Sequence, residues 1–293
     1  MIKLDGKSSN VRTVCGVLCC LTLGTLLASC NVEKRQAAPA AAPPIAVPEY
    51  ECRWTAEPIT IDGKGDEAAW KQAQVIDRFY VPGQGGKLGR TATKARLLWD
   101  HDYLYFLAEM EDADLYANVT EHDGPAWDND VFELFFKPSD KKPGYYEFEV
   151  NAANTTLDMF LYSRGSGGYN RYKATDEFDF QTAVQLRGTL NDPRDRDQGW
   201  TVEGRLRWRD FAHTGGAPAA GDRWKFALCR YDYSVDFEGP ELTCAAPLTR
   251  SDFHHYEDYA TLKFVGPNAE DRAKPAAANA DSPVNAGDDA QSK

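Results

Sequence analysis

The residues with the most chemistry to offer sit in two short apolar runs, Val131-Phe132-Glu133-Leu134-Phe135-Phe136 and Tyr145-Tyr146-Glu147-Phe148-Glu149-Val150-Asn151. Both alternate with period two, the period of a strand. Phe132, Leu134 and Phe136 then share one face, as do Tyr146, Phe148 and Val150. Glu133, Glu147, Glu149 and Asn151 point the other way. In Lys94 to Trp99, Arg96 shares a face with Lys94 and Leu98. With these strands as neighbours, the outer, solvent-facing side of one sheet carries Glu133, Glu149, Asn151 and Arg96. Trp127 precedes the first strand on the loop Gly124 to Asp130. An indole beside carboxylates, an amide and a guanidinium is what a sugar requires. The C–H face of a pyranose stacks on the ring, and its hydroxyls need rigid donors and acceptors. The same residues also fit a solvated sheet face with one partly buried Trp.

Other chemistries compete for these groups. Glu147 and Glu149 lie two apart on a strand, about 6–7 Å by the strand rise, and Glu133 faces them across a strand gap. Retaining glycosidases use two carboxyls about 5 Å apart, so hydrolysis of O-glycosyl bonds by Glu133, Glu147 and Glu149 is the main rival. A sandwich that binds a non-sugar ligand or a protein partner is another. Haem needs axial Met or His. Met110, Met159, His101, His122, His213, His254 and His255 are the candidates, and Met110 closes an apolar strand face as a core residue does. His254-His255 is no zinc pair, because adjacent strand residues face opposite ways and no partner stands at ligand spacing. Gly165-Ser166-Gly167-Gly168 is a loop with no helix behind it. Catalytic triads, P-loops and dinucleotide fingerprints are absent.

The elements that must position these groups are strands. The chain has 14 Tyr, 14 Phe and 7 Trp, a content that suits a twisted, pleated surface. Arg96 to Trp99 and Tyr103 to Ala108 form a hairpin with a polar turn at Asp100-His101-Asp102. Further strands run over Val131 to Phe136, Tyr145 to Asn151, Thr156 to Tyr162, Thr182 to Leu190, Gly199 to Arg207, Arg223 to Asp232, Glu241 to Ala245 and Ala260 to Val265. Helix is confined to Asp66 to Lys71, N-capped by Asp66, and a turn at Trp208 to Phe211. The fold class is all-β, an antiparallel, jelly-roll-like β-sandwich. With 33 Lys+Arg against 45 Asp+Glu the net charge is -12, and no basic run is present, which excludes nucleic acid as a partner.

The ends carry a different message. Lys3, Lys7 and Arg12 precede the apolar run Val14 to Leu27, which ends in Leu27-Ala28-Ser29-Cys30. That order reads as an export signal over 1–29 with a terminus similar to a bacterial lipobox. Cleavage before Cys30 and a diacylglycerol on its thiol follow, giving an exported protein held at a membrane by lipid. Asn31, where an Asp would resemble an inner-membrane retention signal, favours the outer membrane or cell surface. Residues 30–48 are an Ala/Pro-rich tether, 49–266 are one domain, and 267–293 form a tail expected to be disordered. Cys52, Cys229 and Cys244 remain in an oxidising compartment. A hairpin centred between Asp236 and Phe237 sets Cys229 opposite Cys244, the expected disulfide. Cys52 taking one partner, or three buried free thiols, are the alternatives.

In four blocks the chain resembles the family 9 carbohydrate-binding modules. Ile59-Thr60-Ile61-Asp62-Gly63 with Asp66-Glu67 and Trp70 is similar to the family's opening block, and Ala95 to Asp100 with Tyr103-Leu104-Tyr105 to its second. Trp127 to Phe135 and Tyr145 to Asn151 resemble the two that follow. The resemblance implies non-catalytic binding of polysaccharide or oligosaccharide ends between two Trp residues above a carboxylate, an Arg and an Asn, in a system that captures or degrades polysaccharide. Trp127 matches the first Trp, Glu133 the carboxylate and Asn151 the Asn. Glu149 stands where the family carries Arg, and the second Trp is replaced near Cys244. Tyr231, Tyr233, Tyr169 and Phe253 are the candidates to take its place. No cofactor is required by this resemblance. Calcium, which it implies only as a structural ion, has candidate places in the acidic loops Asp62 to Glu67 and Asp123 to Asp130, neither an EF-hand.

Overall fold

Alternating apolar side chains close two sheet halves over one another in the computed structural model, which describes residues 45–164 and 178–267. The expectations for the export signal, Cys30, most of the tether, the Gly165 to Gly168 loop, Tyr169 and the tail beyond 267 lie outside the described residues. Eleven strands are described: β1 (Glu49–Trp54), β2 (Thr93–Trp99), β3 (Tyr103–Met110), β4 (Val131–Lys137), β5 (Tyr145–Asn151), β6 (Thr156–Leu161), β7 (Phe180–Arg187), β8 (Gly199–Arg207), β9 (Arg223–Asp232), β10 (Glu241–Cys244) and β11 (Ala260–Val265). They pair in the order β6-β5-β4-β9-β11-β1-β2-β3-β8-β7, with β10 on β9. Rings from the two ends of this path meet: Phe106 of β3 stacks on Phe132 of β4 at 6.3 Å, and Phe148 of β5 meets Phe180 of β7 at 5.3 Å. The result is a β-sandwich.

The pairing is antiparallel except at β1, which runs parallel to both β11 and β2. β1 was not among the expected strands. Its Glu-Tyr-Glu-Cys-Arg-Trp alternation buries Tyr50 and Cys52, but six residues directly after a Pro-rich run give a weak signal. The first expected helix is a 3-10 turn, Ala68–Gln72, with Glu67 rather than Asp66 at its N-cap and no side-chain cap. Glu67 instead accepts the Thr60 N–H at 3.0 Å. The second runs Trp208–Thr214, also 3-10. β7 starts at Phe180 and ends at Arg187, short of Leu190.

Cys244 does pair with Cys229 in the β9–β10 ladder. The expected bond between them is not formed: Cys52, Cys229 and Cys244 are free, buried thiols. A directly facing cross-strand pair holds its Cβ atoms about 4.5–5.5 Å apart, wider than the roughly 3.8 Å of a disulfide. Cys244 Sγ instead accepts the Ala246 N–H at 3.3 Å.

Arg230 of β9 is buried at the end of the inter-sheet core. It reaches Asp112 at 3.0 Å and Asp232 at 3.2 Å, and donates to Glu111 O at 2.7 Å. Burial and the Asp232 charge push Asp112 up to about 7. Arg230→Met strands both carboxylates without a cation, so urea denaturation at neutral pH should show a loss of about 3–5 kcal/mol. The loss should be smaller below about pH 7, where Asp112 holds its proton even beside Arg230, than above it, where only the wild type has a cation to meet the carboxylate.

Candidate functional site

The loop before β4 is tied down by the residues that follow its Trp. Asn129 Oδ1 accepts the Val119 N–H at 2.9 Å, and the two Asp130 carboxylate oxygens accept Tyr116 N–H at 2.6 Å and Tyr233 N–H at 2.7 Å. Trp127 sits on the single 3-10 turn Ala126–Asp128 that these bonds fix, and Tyr233 Oη donates to its carbonyl at 2.9 Å. The indole is half-buried and lines a cavity of about 570 Å³, within the range of small-ligand sites.

The floor of that cavity is the outer face of β4 and β5. Because Glu133 pairs directly with Glu149 and Phe135 with Glu147, all four point to the same side. Tyr231 pairs with Val131 and joins them from β9. The far end is roofed by the segment before β11. Phe135 packs on Phe253 at 6.4 Å and on His254 at 5.5 Å, and Tyr145 Oη lies 2.9 Å from His254 Nδ1. This roof corrects the expectation of a solvated face: Glu133, Glu147 and Glu149 are only 2%, 4% and 1% exposed. The strand parity was as expected, but the loop that covers it lies more than a hundred residues away in sequence.

The structure brings Trp127, Glu133 and Glu149 together and adds Glu147, Phe135, Tyr145, Tyr231, Phe253 and His254. Arg96 is not among them. It lies on β2, paired to Glu109 at 2.6 Å, in the other half of the sheet path. Asn151 is fully buried and spent on backbone groups and one side chain: Nδ2 donates to Val119 O and Asn129 Oδ1 at 2.8 and 3.0 Å, and Oδ1 accepts from the Ala153 and Thr155 N–H groups at 3.0 and 2.9 Å. It holds the Trp127 loop from behind. Of the aromatic candidates, Tyr231 and Phe253 line the cavity, in edge contact at 5.4 Å, while Tyr233 supports Trp127. His254 and His255 lie in a turn, not a strand, and His255 faces Glu257 at 3.0 Å. Met110 is buried in the core. Phe135 and Tyr145 were legible from parity; the Asp252 to His254 wall had no local signal.

Electrostatics set this floor apart. Burial pushes Glu133 and Glu149 well above the ordinary glutamate value of 4.5, and the neighbouring carboxylates push further. Burial also raises Glu147, opposed by His254. One oxygen of each, Glu133 Oε1, Glu147 Oε2 and Glu149 Oε2, is buried with no hydrogen-bond partner. A second cavity of about 560 Å³ lies at Tyr116, Asn191, Pro193 and Tyr233. No buried polar atom without a partner lies among its lining residues.

A sandwich with an indole, a phenol and carboxylates gathered on one sheet face is the architecture of a ligand-binding module. Residues 61–262 match the family described as "Carbohydrate family 9 binding domain-like", and the chain belongs to that family. It is 31% identical to an endo-1,4-beta-xylanase A of Thermotoga maritima over 160 residues, 53% of this chain but only 12% of that enzyme. Among solved structures it is similar to a family 9 carbohydrate-binding module from Caldicellulosiruptor kristjanssonii in complex with cellotriose. There the TM-score is 0.51 at 18% identity, covering 81% of this chain and 99% of that one. The glucose complex gives 0.50 at 18%, covering 75% and 97%.

A carboxyl whose pKa is raised by folding holds its proton more firmly in the folded state. Its contribution is complete below about 4.5, the unfolded value, and is lost as the pH rises through the folded one. In chelator, the melting temperature should therefore fall as pH climbs above about 4.5. Glu149→Gln should flatten that slope and raise the neutral-pH melt by about 2–4 °C per kcal/mol recovered. A melt of Glu149→Gln that stays parallel to wild type across the range would contradict this electrostatic picture.

Proposed function

We propose that the cavity on the β4–β5–β9 face binds carbohydrate without hydrolysing it. Trp127 is the stacking plate. Tyr231 and Phe253 stand in for the second Trp that the chain lacks. Glu133, Glu147 and Glu149 take the hydroxyls. The observation that carries this reading is one cavity lined by a half-buried indole and three buried glutamates, each with one oxygen lacking a hydrogen-bond partner. Such oxygens cost free energy until something fills their hydrogen-bonding capacity. A ligand dense in hydroxyls does so while its C–H face covers the ring. Family membership and the sugars in the similar modules support the same class of ligand.

Spacing alone favours hydrolysis, since one oxygen of each glutamate lies within 4.8 Å of the others. A retaining glycosidase needs its two carboxyls pushed apart, one protonated and one ionised. Burial raises all three here; the nearby His254 and the hydrogen bond between Glu147 and Glu149 hold Glu147 back but do not bring it below the ordinary glutamate value, as a nucleophile's carboxylate would need. The xylanase relatives match only over a small part of their length.

Anchoring belongs to the same reading. Lipid on Cys30, at the outer membrane or cell surface, with the 30–48 tether behind the module, would hold captured polysaccharide near enzymes on other chains. Cys30→Ala should abolish incorporation of labelled palmitate and move the protein from the membrane to the soluble fraction.

For the site itself, Trp127→Ala should abolish cello-oligosaccharide binding in calorimetry and leave the melt nearly unchanged. A loss of several kcal/mol of stability would instead mark Trp127 as core.

A further inference from the structure

Four acidic clusters stand out among the described residues, each offering oxygens within 4.8 Å of one another. In three of them the chain supplies partners, Glu67 Oε2 in the Asp62, Glu67 and Glu203 cluster being the one buried oxygen left over. Asp112 and Asp232 are paired to Arg230, and Asp130 accepts two backbone N–H groups. Glu203 accepts Trp70 Nε1–H at 2.8 Å and the N–H groups of Asp62 and Gly63, both at 3.1 Å. Asp123 and Asp158 lie 3.6 and 3.8 Å from the His122 imidazole.

Glu133, Glu147 and Glu149 have no such donors from the rest of the chain; Glu147 and Glu149 share a hydrogen bond only with each other. No Lys or Arg among the described residues pairs with them. The titratable groups around them are Cys229, Cys244, Tyr145, Tyr231, Tyr233, Tyr259, Asp128, Asp252, Arg164 and His254; of these His254 brings positive charge to Glu147, and the Arg164 guanidinium in the cavity wall is paired to Glu257 at 2.8 Å. Each glutamate is more than nine-tenths buried, and each has one oxygen without a partner. All three face the cavity. Something with positive charge and room for several oxygens fits there.

The donor set is oxygen only, the preference of a hard cation. Calcium–oxygen distances of 2.3–2.6 Å put oxygens of one shell up to roughly 4.6–5.2 Å apart, so oxygens within 4.8 Å fit one ion. At one oxygen each, three carboxylates leave about half of a six- to eight-fold shell open. Trp127 lines the same cavity as the three glutamates.

We propose that Glu133, Glu147 and Glu149 hold one calcium-class divalent cation at the cavity floor, and that its open positions take hydroxyl oxygens of the bound carbohydrate; the second half rests on the carbohydrate reading above. Two positive charges offset two of the three carboxylates, and a proton kept on the third would make the floor neutral. This site is distinct from the two acidic loops singled out in the sequence.

The test uses chelator-stripped full-length protein titrated with calcium chloride in a calorimeter and with terbium chloride by Tyr- and Trp-sensitised luminescence. One calcium should bind, with terbium emission displaced by calcium. Glu133→Gln and Glu149→Gln should each weaken that binding roughly tenfold or more, because ligand charge sets calcium affinity. Both variants should melt at or above wild type in chelator, which separates a lost ligand from a lost fold. No calcium binding, or binding untouched by both variants, overturns the cation site. Cellotriose is then titrated with calcium and with EDTA. Binding lost in EDTA and restored by calcium supports coordination of the sugar. Binding that survives EDTA overturns that half and leaves the carbohydrate reading standing. Calcium bound at the three glutamates with no glycan bound in either buffer supports the cation and overturns the carbohydrate reading.

Discussion

Neighbouring strand residues face opposite ways, and that single constraint decides where the chemistry of this protein lies. Packing Phe132, Leu134, Phe148 and Val150 into the core between the sheet halves leaves Glu133, Glu147 and Glu149 no choice but the opposite face. A slip of one residue would exchange the two sets and bury the carboxylates against Phe106. The aromatic stack across the sandwich therefore fixes the site as firmly as it fixes the fold.

What the core fixes, the loops refine. Asn129, Asp130 and Asn151 spend their side chains on backbone groups around the Trp127 turn. They make a rigid mount out of a segment with no regular structure of its own. The roof from Phe253 to Tyr259 turns an open sheet face into a cavity by resting on Phe135 and Tyr145. Burying three acids on one floor costs free energy, and the cost is tolerable only while protons, a cation or a ligand answer it. Stability and ligand binding are thus linked through the same three residues.

Much of this is legible in the sequence, and the gaps have physical causes. Strand positions and faces followed from alternation, because period two is a property of each strand alone. The facing of Cys229 and Cys244 followed from hairpin counting, since an antiparallel register is set by its turn. Arg96 was misplaced because parity says which side a residue takes but not which strands are neighbours; β2 lies beyond β11 and β1 from the β4 face. Asn151 was on the right face for a ligand, yet a turn at Asn151 to Thr155 captured its amide first. The roof, and with it the burial of the glutamates, depends on contacts far apart in sequence. The Ile-Asp-Gly and Trp70 block likewise proves structural, a cradle for Glu203 on β8.

The most direct test of the account is a crystal structure of the protein grown with cellotriose and calcium. The account predicts a sugar ring stacked on Trp127 with its hydroxyls directed to the Glu133, Glu147 and Glu149 floor. Sugar density at the Tyr116–Tyr233 cavity, with the Trp127 cavity holding only water, would contradict it.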